Sequence, residues 1–197
     1  MHVIISGYTI LPEMPSFFTD ACVLQRTDET LPVIAVSAYS LAFRGIRPRE
    51  MTKSREKLRQ LRVSRIINVC TEVIATAQYL AMFKDLGIAY HHFPIPDDER
   101  VVVPASFLQL IADTYKLHDA ATGIILIHCH AGVNRSMLAA AYLLWTTTPN
   151  PAMVWPQRGF SLIAYLSDEQ QRQRGGYAIL TNTSFRNYIY NLTMNHV

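Results

Sequence analysis

Apolar residues fall into two kinds of pattern along this chain. Compact β-rich runs occur in PVIAVSAYSL (32–41), RIINVC (65–70), IAYHHF (88–93) and GIILIH (123–128). Runs with little polar alternation read as strands covered on both faces. GIILIH is the most apolar and is expected at the centre of a sheet. Between the runs the spacing changes to three and four. Phe107, Leu110, Ile111 and Tyr115 put one apolar face on a helix that Pro104 opens and that runs to about His118. Residues 75–86 predict a second helix with Gly87 as its C-cap. A third, capped by Thr52 or Ser54, is expected to reach about Leu61 with charges on its outer face. SMLAAAYLLW (136–145) is apolar all round, which predicts a buried helix. Pro149, Pro151 and Pro156 interrupt the stretch after it, and two more helices are expected over about 160–171 and 184–192. Strands alternating with helices argue an α/β fold, with a central, mostly parallel sheet flanked by helices.

With 197 residues the chain is sized for one domain, taken as residues 31–197 behind an N-terminal extension of residues 1–30. Within the extension Phe17, Phe18, Val23 and Leu24 have the character to pack back onto the domain. Half the residues are hydrophobic, enough to build a core and to exclude wholesale disorder. No apolar run approaches the length of a membrane helix, so no membrane partner is expected. The N-terminus has no basic start and is broken by Pro12 and Pro15, a poor signal peptide. Three cysteines make no disulfide framework. The expectation is an intracellular, cytoplasmic protein with reduced thiols.

Charge is concentrated in one place. Arg44, Arg47, Arg49, Lys53, Arg55, Lys57, Arg59, Arg62 and Arg65 face only Glu50 and Glu56, so this segment alone exceeds the whole chain's formal +3. A stripe of this kind is either a solvated helix face or an attractor for acidic or phosphorylated partners, with nucleic acid the weaker choice.

The sharpest chemistry lies in His128-Cys129-His130-Ala131-Gly132-Val133-Asn134-Arg135-Ser136. It joins a buried strand to a buried helix. A turn at that junction points successive backbone N–H groups and the helix N-terminus into one concavity, which suits an anion. A cysteine inside it is favoured as the thiolate, the nucleophilic form. Arg135 returns to the same concavity at the start of the helix, where its planar fork can hold two phosphate oxygens. Ser136 can hydrogen-bond the sulfur as it becomes a leaving group. His130, Ala131, Gly132, Val133 and Asn134 would line the concavity, and His128 would order the loop behind it. A metal site built from His128, Cys129, His130, His91 and His92 lacks the usual ligand separation, so no metal is expected.

His-Cys-x5-Arg-Ser after an apolar strand resembles the signature of the cysteine-dependent dual-specificity protein phosphatases, of the protein tyrosine phosphatase superfamily. The resemblance extends over about residues 31–193. IINVCTE is similar to the strand before that family's first active-site loop, and PIPDDE to the loop carrying its general acid. RGGYAILTNTSFRNYI is similar to its C-terminal stretch. Asn134 and that stretch most resemble the poxvirus H1-like branch. The resemblance implies a protein tyrosine phosphatase-like fold, attack by Cys129 on phosphorus, and oxygens held by Arg135 and the loop amides. It also implies an upstream aspartate that protonates the leaving group and then activates water. No cofactor is implied. Phe93-Pro94-Ile95-Pro96-Asp97 fits the family's frame and favours Asp97 as the acid, with Asp98 and then Glu99 behind it. Asn182 reads either as a buttress of the active-site loops or as a helix cap.

Phosphorylated proteins carrying phosphotyrosine, phosphoserine or phosphothreonine are the implied substrates. No Lys-Asn-Arg-Tyr recognition loop of the deep-pocket type is present. Two alternatives stay open: an RNA 5′-triphosphatase of the same superfamily, kept alive by the basic segment 44–65, and a phosphate-binding pseudophosphatase. Cys70 is a candidate redox partner for Cys129. Parallel strands would deliver both to one sheet edge, and some superfamily members carry a back-door cysteine on the matching strand. A buried core residue is the plainer reading of Cys70.

Overall fold

The computed structural model describes residues 21–24, 33–38, 42, 47–117, 123–175 and 178–194. Five strands form one sheet: β1 (Ala21–Leu24), β2 (Ile34–Ala38), β3 (Val63–Asn68), β4 (Ala89–His92) and β5 (Ile124–Cys129). Their spatial order is β1-β2-β5-β3-β4. β1 runs antiparallel to β2, and every other pairing is parallel. The expected parallel α/β sheet is therefore present, with the apolar GIILIH run at its centre. The sheet also reaches upstream of residue 31. Val23 and Leu24 lie on its antiparallel edge strand, so the extension assigned to residues 1–30 contributes to the domain. Phe17 and Phe18 fall outside the described residues.

Alternation along the strands divides the core in two. Ile34, Val36, Ile125, Ile127 and Cys129 face a layer made by α3 (Ala105–Lys116), α4 (Arg135–Thr147), α6 (Gly159–Arg174) and α7 (Thr183–Met194). Ala35, Ile66 and Leu126 face α1 (Pro48–Gln60) and α2 (Ala77–Asp85), through Leu58, Tyr79, Met82 and Phe83. Both faces are covered, which is why the strand sequences show little polar alternation. α4 sits deepest. All eleven of its residues from Arg135 to Trp145 are buried, as its uniformly apolar sequence predicts. α5 (Pro151–Val154) is a single turn that fits between the prolines.

Most boundaries fall within two or three residues of expectation. α1 is the exception, because it starts four to six residues before the predicted caps. Pro48 occupies its first turn, where a preset φ and a missing N–H cost nothing. Thr52 and Ser54 are interior: the Thr52 hydroxyl donates to the Pro48 carbonyl at 3.0 Å, and Ser54 is buried. α3 ends at Lys116, and His118 is not among the described residues.

Parallel pairing fixes the site. Asn68 lies opposite His128, and the Val69 N–H donates to the His128 carbonyl at 2.9 Å. Ala38 lies opposite Cys129. The segments that leave β3 and β5 therefore emerge together at the carboxyl edge of the sheet, where open α/β sheets bind ligands.

Candidate active site

β5 ends on Cys129 and α4 begins on Arg135, so the intervening loop spans a strand end and a helix start. Gly132 makes the turn possible. Its φ is +74°, and a Cβ there would sit 2.5 Å from the Ser37 carbonyl carbon. A side chain would meet neighbouring backbone, on top of roughly 1–3 kcal/mol of conformational strain. The fold brings the Gly132 N–H to the Cys129 sulfur at 3.2 Å. The Ser136 hydroxyl lies 3.2 Å from the same sulfur. Cys129 itself is 1% exposed.

Asn134 occupies the N-cap position of α4 without capping it. Its side-chain oxygen instead accepts from the Thr181 N–H at 2.8 Å, the Thr181 hydroxyl at 3.1 Å and the Asn182 N–H at 3.3 Å. No side-chain cap therefore satisfies the first-turn N–H groups of α4, an arrangement that suits an anion.

Arg135 is 2% exposed and held from several sides. Its Nη1 donates to Glu72 at 2.7 Å, to the Thr71 hydroxyl at 3.3 Å and to the Ile95 carbonyl at 3.4 Å. Its Nε lies 3.9 Å from the Asp97 carboxylate. Burial alone would raise the Glu72 carboxyl. Hydrogen bonds from Arg135 and Cys70 outweigh it and bring Glu72 down to about 2, so it is ionised at neutral pH.

The two adjacent aspartates part company. Asp97 turns toward the loop and accepts from Asn134 Nδ2 at 3.2 and 3.3 Å and from Asn182 Nδ2 at 3.0 Å. Asp98 closes on Arg100, accepting from its backbone N–H, Nε and Nη2 at 2.9, 3.0 and 2.7 Å. That ion pair lowers Asp98 to about 2. Asn182 makes contacts in two directions. Its Nδ2 holds Asp97, and its Oδ1 accepts from the Phe185 N–H at 3.3 Å in the first turn of α7.

His128 is fully buried under the loop. Burial is the largest influence and lowers it to about 3, so the ring is neutral. His130 is exposed at the rim. Cys70 lies buried just beyond β3, with its thiol donating to Glu72 at 2.8 Å. His92 reaches the Cys70 carbonyl at 2.8 Å, while the His91 ring stacks on Phe93 at 6.0 Å. The three cysteines are free thiols.

Two contributors carry no role in the sequence reading. Glu72 lies inside IINVCTE, and an acidic residue just past a strand end at the carboxyl edge is a signal that could have singled it out. Arg174, at the end of α6, donates to the Gly132 carbonyl at 3.1 Å and the Ala131 carbonyl at 3.2 Å. It reaches these loop carbonyls from about 40 residues away, and no local pattern announces that contact.

The comparisons with known proteins fit this geometry. The cyclin-dependent kinase inhibitor 3 family model matches residues 26–153, well over half the chain. The chain belongs to that family. No curated protein matches it in sequence. Among solved structures it is similar to a kinase associated phosphatase whose catalytic-site cysteine was replaced by serine. Identity is 24% and the TM-score 0.57, over 84% of this chain and 89% of that one. It is similar to OH1 of Orf virus, a tyrosine phosphatase with triple substrate specificity, at 21% identity and TM-score 0.54 over 91% of each chain. Human DUSP28 gives 14% identity and TM-score 0.52, over 92% of this chain and 97% of its own. At these identities the structural likeness establishes the fold, that of the dual-specificity and tyrosine phosphatases, and the poxvirus resemblance has its counterpart in the Orf virus protein. Among the described residues no helix is long and apolar enough to cross a membrane.

Proposed function

We propose that this protein is a phosphatase acting on phosphotyrosine and on phosphoserine or phosphothreonine in proteins, through a phosphocysteine intermediate. One observation carries the reading: a buried cysteine at a strand end, a buried arginine at a helix start and a carboxylate from a separate loop converge on one anion-binding turn. Cys129 sulfur attacks phosphorus, forming the S–P bond as the P–O bond to the substrate breaks. Arg135 and the loop N–H groups hold the equatorial oxygens as charge redistributes, an electrostatic term of the oxyanion-hole kind. Asp97 gives its proton to the departing oxygen and then takes one from the water that splits the S–P bond. The Ser136 hydroxyl stabilises the sulfur as it leaves. His130, Ala131, Gly132, Val133 and Asn134 surround the phosphate, with His128 supporting the loop from below.

An Asp97 tied to the loop favours turnover over a binding-only role. The test is phosphate release from p-nitrophenyl phosphate and from matched phosphotyrosine and phosphothreonine peptides. Release from both peptides is expected. Phosphopeptide binding without release would make this a binding protein. Preferred release of the terminal phosphate from triphosphate-ended RNA would favour the RNA 5′-triphosphatase reading.

We also propose that the basic stripe recruits acidic or phosphorylated partners. Arg44 falls outside the described residues. Arg55 is already paired with Asp85 at 3.2 Å, and Arg65 donates to the Thr114 carbonyl at 2.7 Å, which leaves Arg47, Arg49, Lys53, Arg59 and Arg62 as exposed charges. Charge reversal at Lys53 and Arg59 is expected to raise KM for an acidic phosphoprotein, less so at high salt, and to leave p-nitrophenyl phosphate hydrolysis nearly unchanged. Equal losses on both substrates would show simple destabilisation instead.

A further inference from the structure

The Cys70 thiol, the Glu72 carboxylate and the His130 imidazole each offer an atom within 4.8 Å of the other two. We propose that these three residues form a Zn²⁺ site at the rim of the catalytic pocket, and that zinc bound there holds the enzyme inactive. The inhibitory half of this proposal rests on the phosphatase reading, whereas the binding half does not.

Sheet pairing, more than a chance side-chain orientation, brings the three together. Cys70 and Glu72 come just after β3, and His130 just after the neighbouring β5. The strands are locked there by the Asn68–His128 register and by the Val69 N–H donating to the His128 carbonyl. The Cys70 backbone is fixed as well. Its N–H donates to Asn68 Oδ1 at 2.9 Å, and its carbonyl meets the His92 ring at 2.8 Å. Supporting bonds of this kind preorganise metal ligands.

Sulfur, nitrogen and oxygen together suit zinc far better than magnesium or calcium. Tetrahedral zinc at its usual bond lengths separates such donors by about 3.3–3.6 Å. The three donor atoms already lie within 4.8 Å of one another, and Glu72 and His130 are exposed. The thiol lies beneath the carboxylate, donating to it at 2.8 Å. Metal binding replaces that thiol proton, which passes to solvent, and forms the Zn–S bond. Three protein ligands leave the fourth position to water.

The consequence for the site comes through Arg135, whose shortest hydrogen bond is to Glu72 at 2.7 Å. A metal that recruits Glu72 withdraws this anchor, sets a second cation beside the guanidinium and draws His130 across the rim.

The test uses the full chain, kept reduced with a phosphine so that no Cys70–Cys129 disulfide intervenes. Zn²⁺ is titrated against a chromophoric chelator with Cys129→Ser protein, which removes the catalytic sulfur as a ligand. One equivalent is expected to bind, with Kd raised at least about tenfold by Cys70→Ser or by His130→Ala. Co²⁺ should give a sulfur-to-metal absorption band in Cys129→Ser that vanishes when Cys70→Ser is added. In wild type, Zn²⁺ should inhibit and a chelator restore activity, with the inhibitory concentration raised at least about tenfold in Cys70→Ser. Absent stoichiometric binding, or binding indifferent to both ligand variants, overturns the site while leaving the phosphatase reading intact. A wild type that binds zinc through Cys70 yet hydrolyses nothing upholds the site and overturns its inhibitory role and the phosphatase reading together.

Discussion

Cys129→Ser is expected to lose turnover by roughly 10⁴-fold or more while still binding phosphopeptide. A serine hydroxyl is not ionised at neutral pH, and among the described residues the Ser136 hydroxyl and the Gly132 N–H, neither a strong base, are the groups that meet the sulfur. The rest of the turn does not depend on that atom. Gly132 keeps its positive φ, Arg174 keeps its hold on the Gly132 and Ala131 carbonyls, and Arg135 keeps its three acceptors. Calorimetry with a phosphotyrosine peptide should therefore detect saturable binding, which added Arg135→Ala weakens. Substantial turnover by purified Cys129→Ser would remove the nucleophile from the account.

The second large effect separates two neighbouring carboxylates. Asp97→Asn is expected to lower kcat by roughly 10²–10⁴-fold and to flatten the alkaline limb of the pH–rate profile, because the lost group must be protonated to act as an acid. Asp98→Asn should cost only a few-fold at most. Asp98 is committed to Arg100, whereas Asp97 lies 3.9 Å from Arg135 and is clasped by Asn134 and Asn182. Because an amide at position 97 would face two amide donors, the shape of the alkaline limb matters as much as the size of the loss. Loop disorder alone would lower the rate without changing that shape. If Asp98→Asn flattens the limb and Asp97→Asn does not, the roles are reversed.

Much of this architecture is legible in the sequence, because buried strands and a buried helix leave little freedom. GIILIH and the all-apolar stretch after it have no reasonable place except the centre of the sheet and the layer beneath. The start of α1 is less legible: Ser54 looks like a cap in the chain, but it lies inside a helix that Pro48 has already begun. β1 is the hardest element to read. Four residues with no turn signature become a strand only because the edge of β2 offers them hydrogen-bond partners.

The site divides along the same line. Cys129 and Arg135 are brought together by a local spacing, a strand end and a helix start six residues apart. Asp97 and Asp98 have nearly the same sequence environment. What distinguishes them is the direction of an irregular loop and two amides, one of which arrives from a segment 85 residues downstream. Asn182 reads from the sequence as cap or buttress alike, and its two side-chain ends make different contacts, one with Asp97 and one with the Phe185 N–H. Arg174 acts purely through tertiary proximity. Charge also reads differently in three dimensions: the basic run suggests a uniform stripe, yet Arg55 and Arg65 are occupied within the fold.

The most direct test is capture of the covalent intermediate. Asp97→Asn protein, slowed in splitting the S–P bond, is mixed with p-nitrophenyl phosphate, whose leaving group departs without a protonating acid, then acid-quenched within milliseconds to seconds, digested and mapped by mass spectrometry. One phosphoryl group is expected on the peptide containing Cys129, appearing with the burst of p-nitrophenol and absent from Cys129→Ser. Product release with no phosphoryl group on Cys129 at any quench time, or with the group on another residue, would contradict the phosphocysteine mechanism.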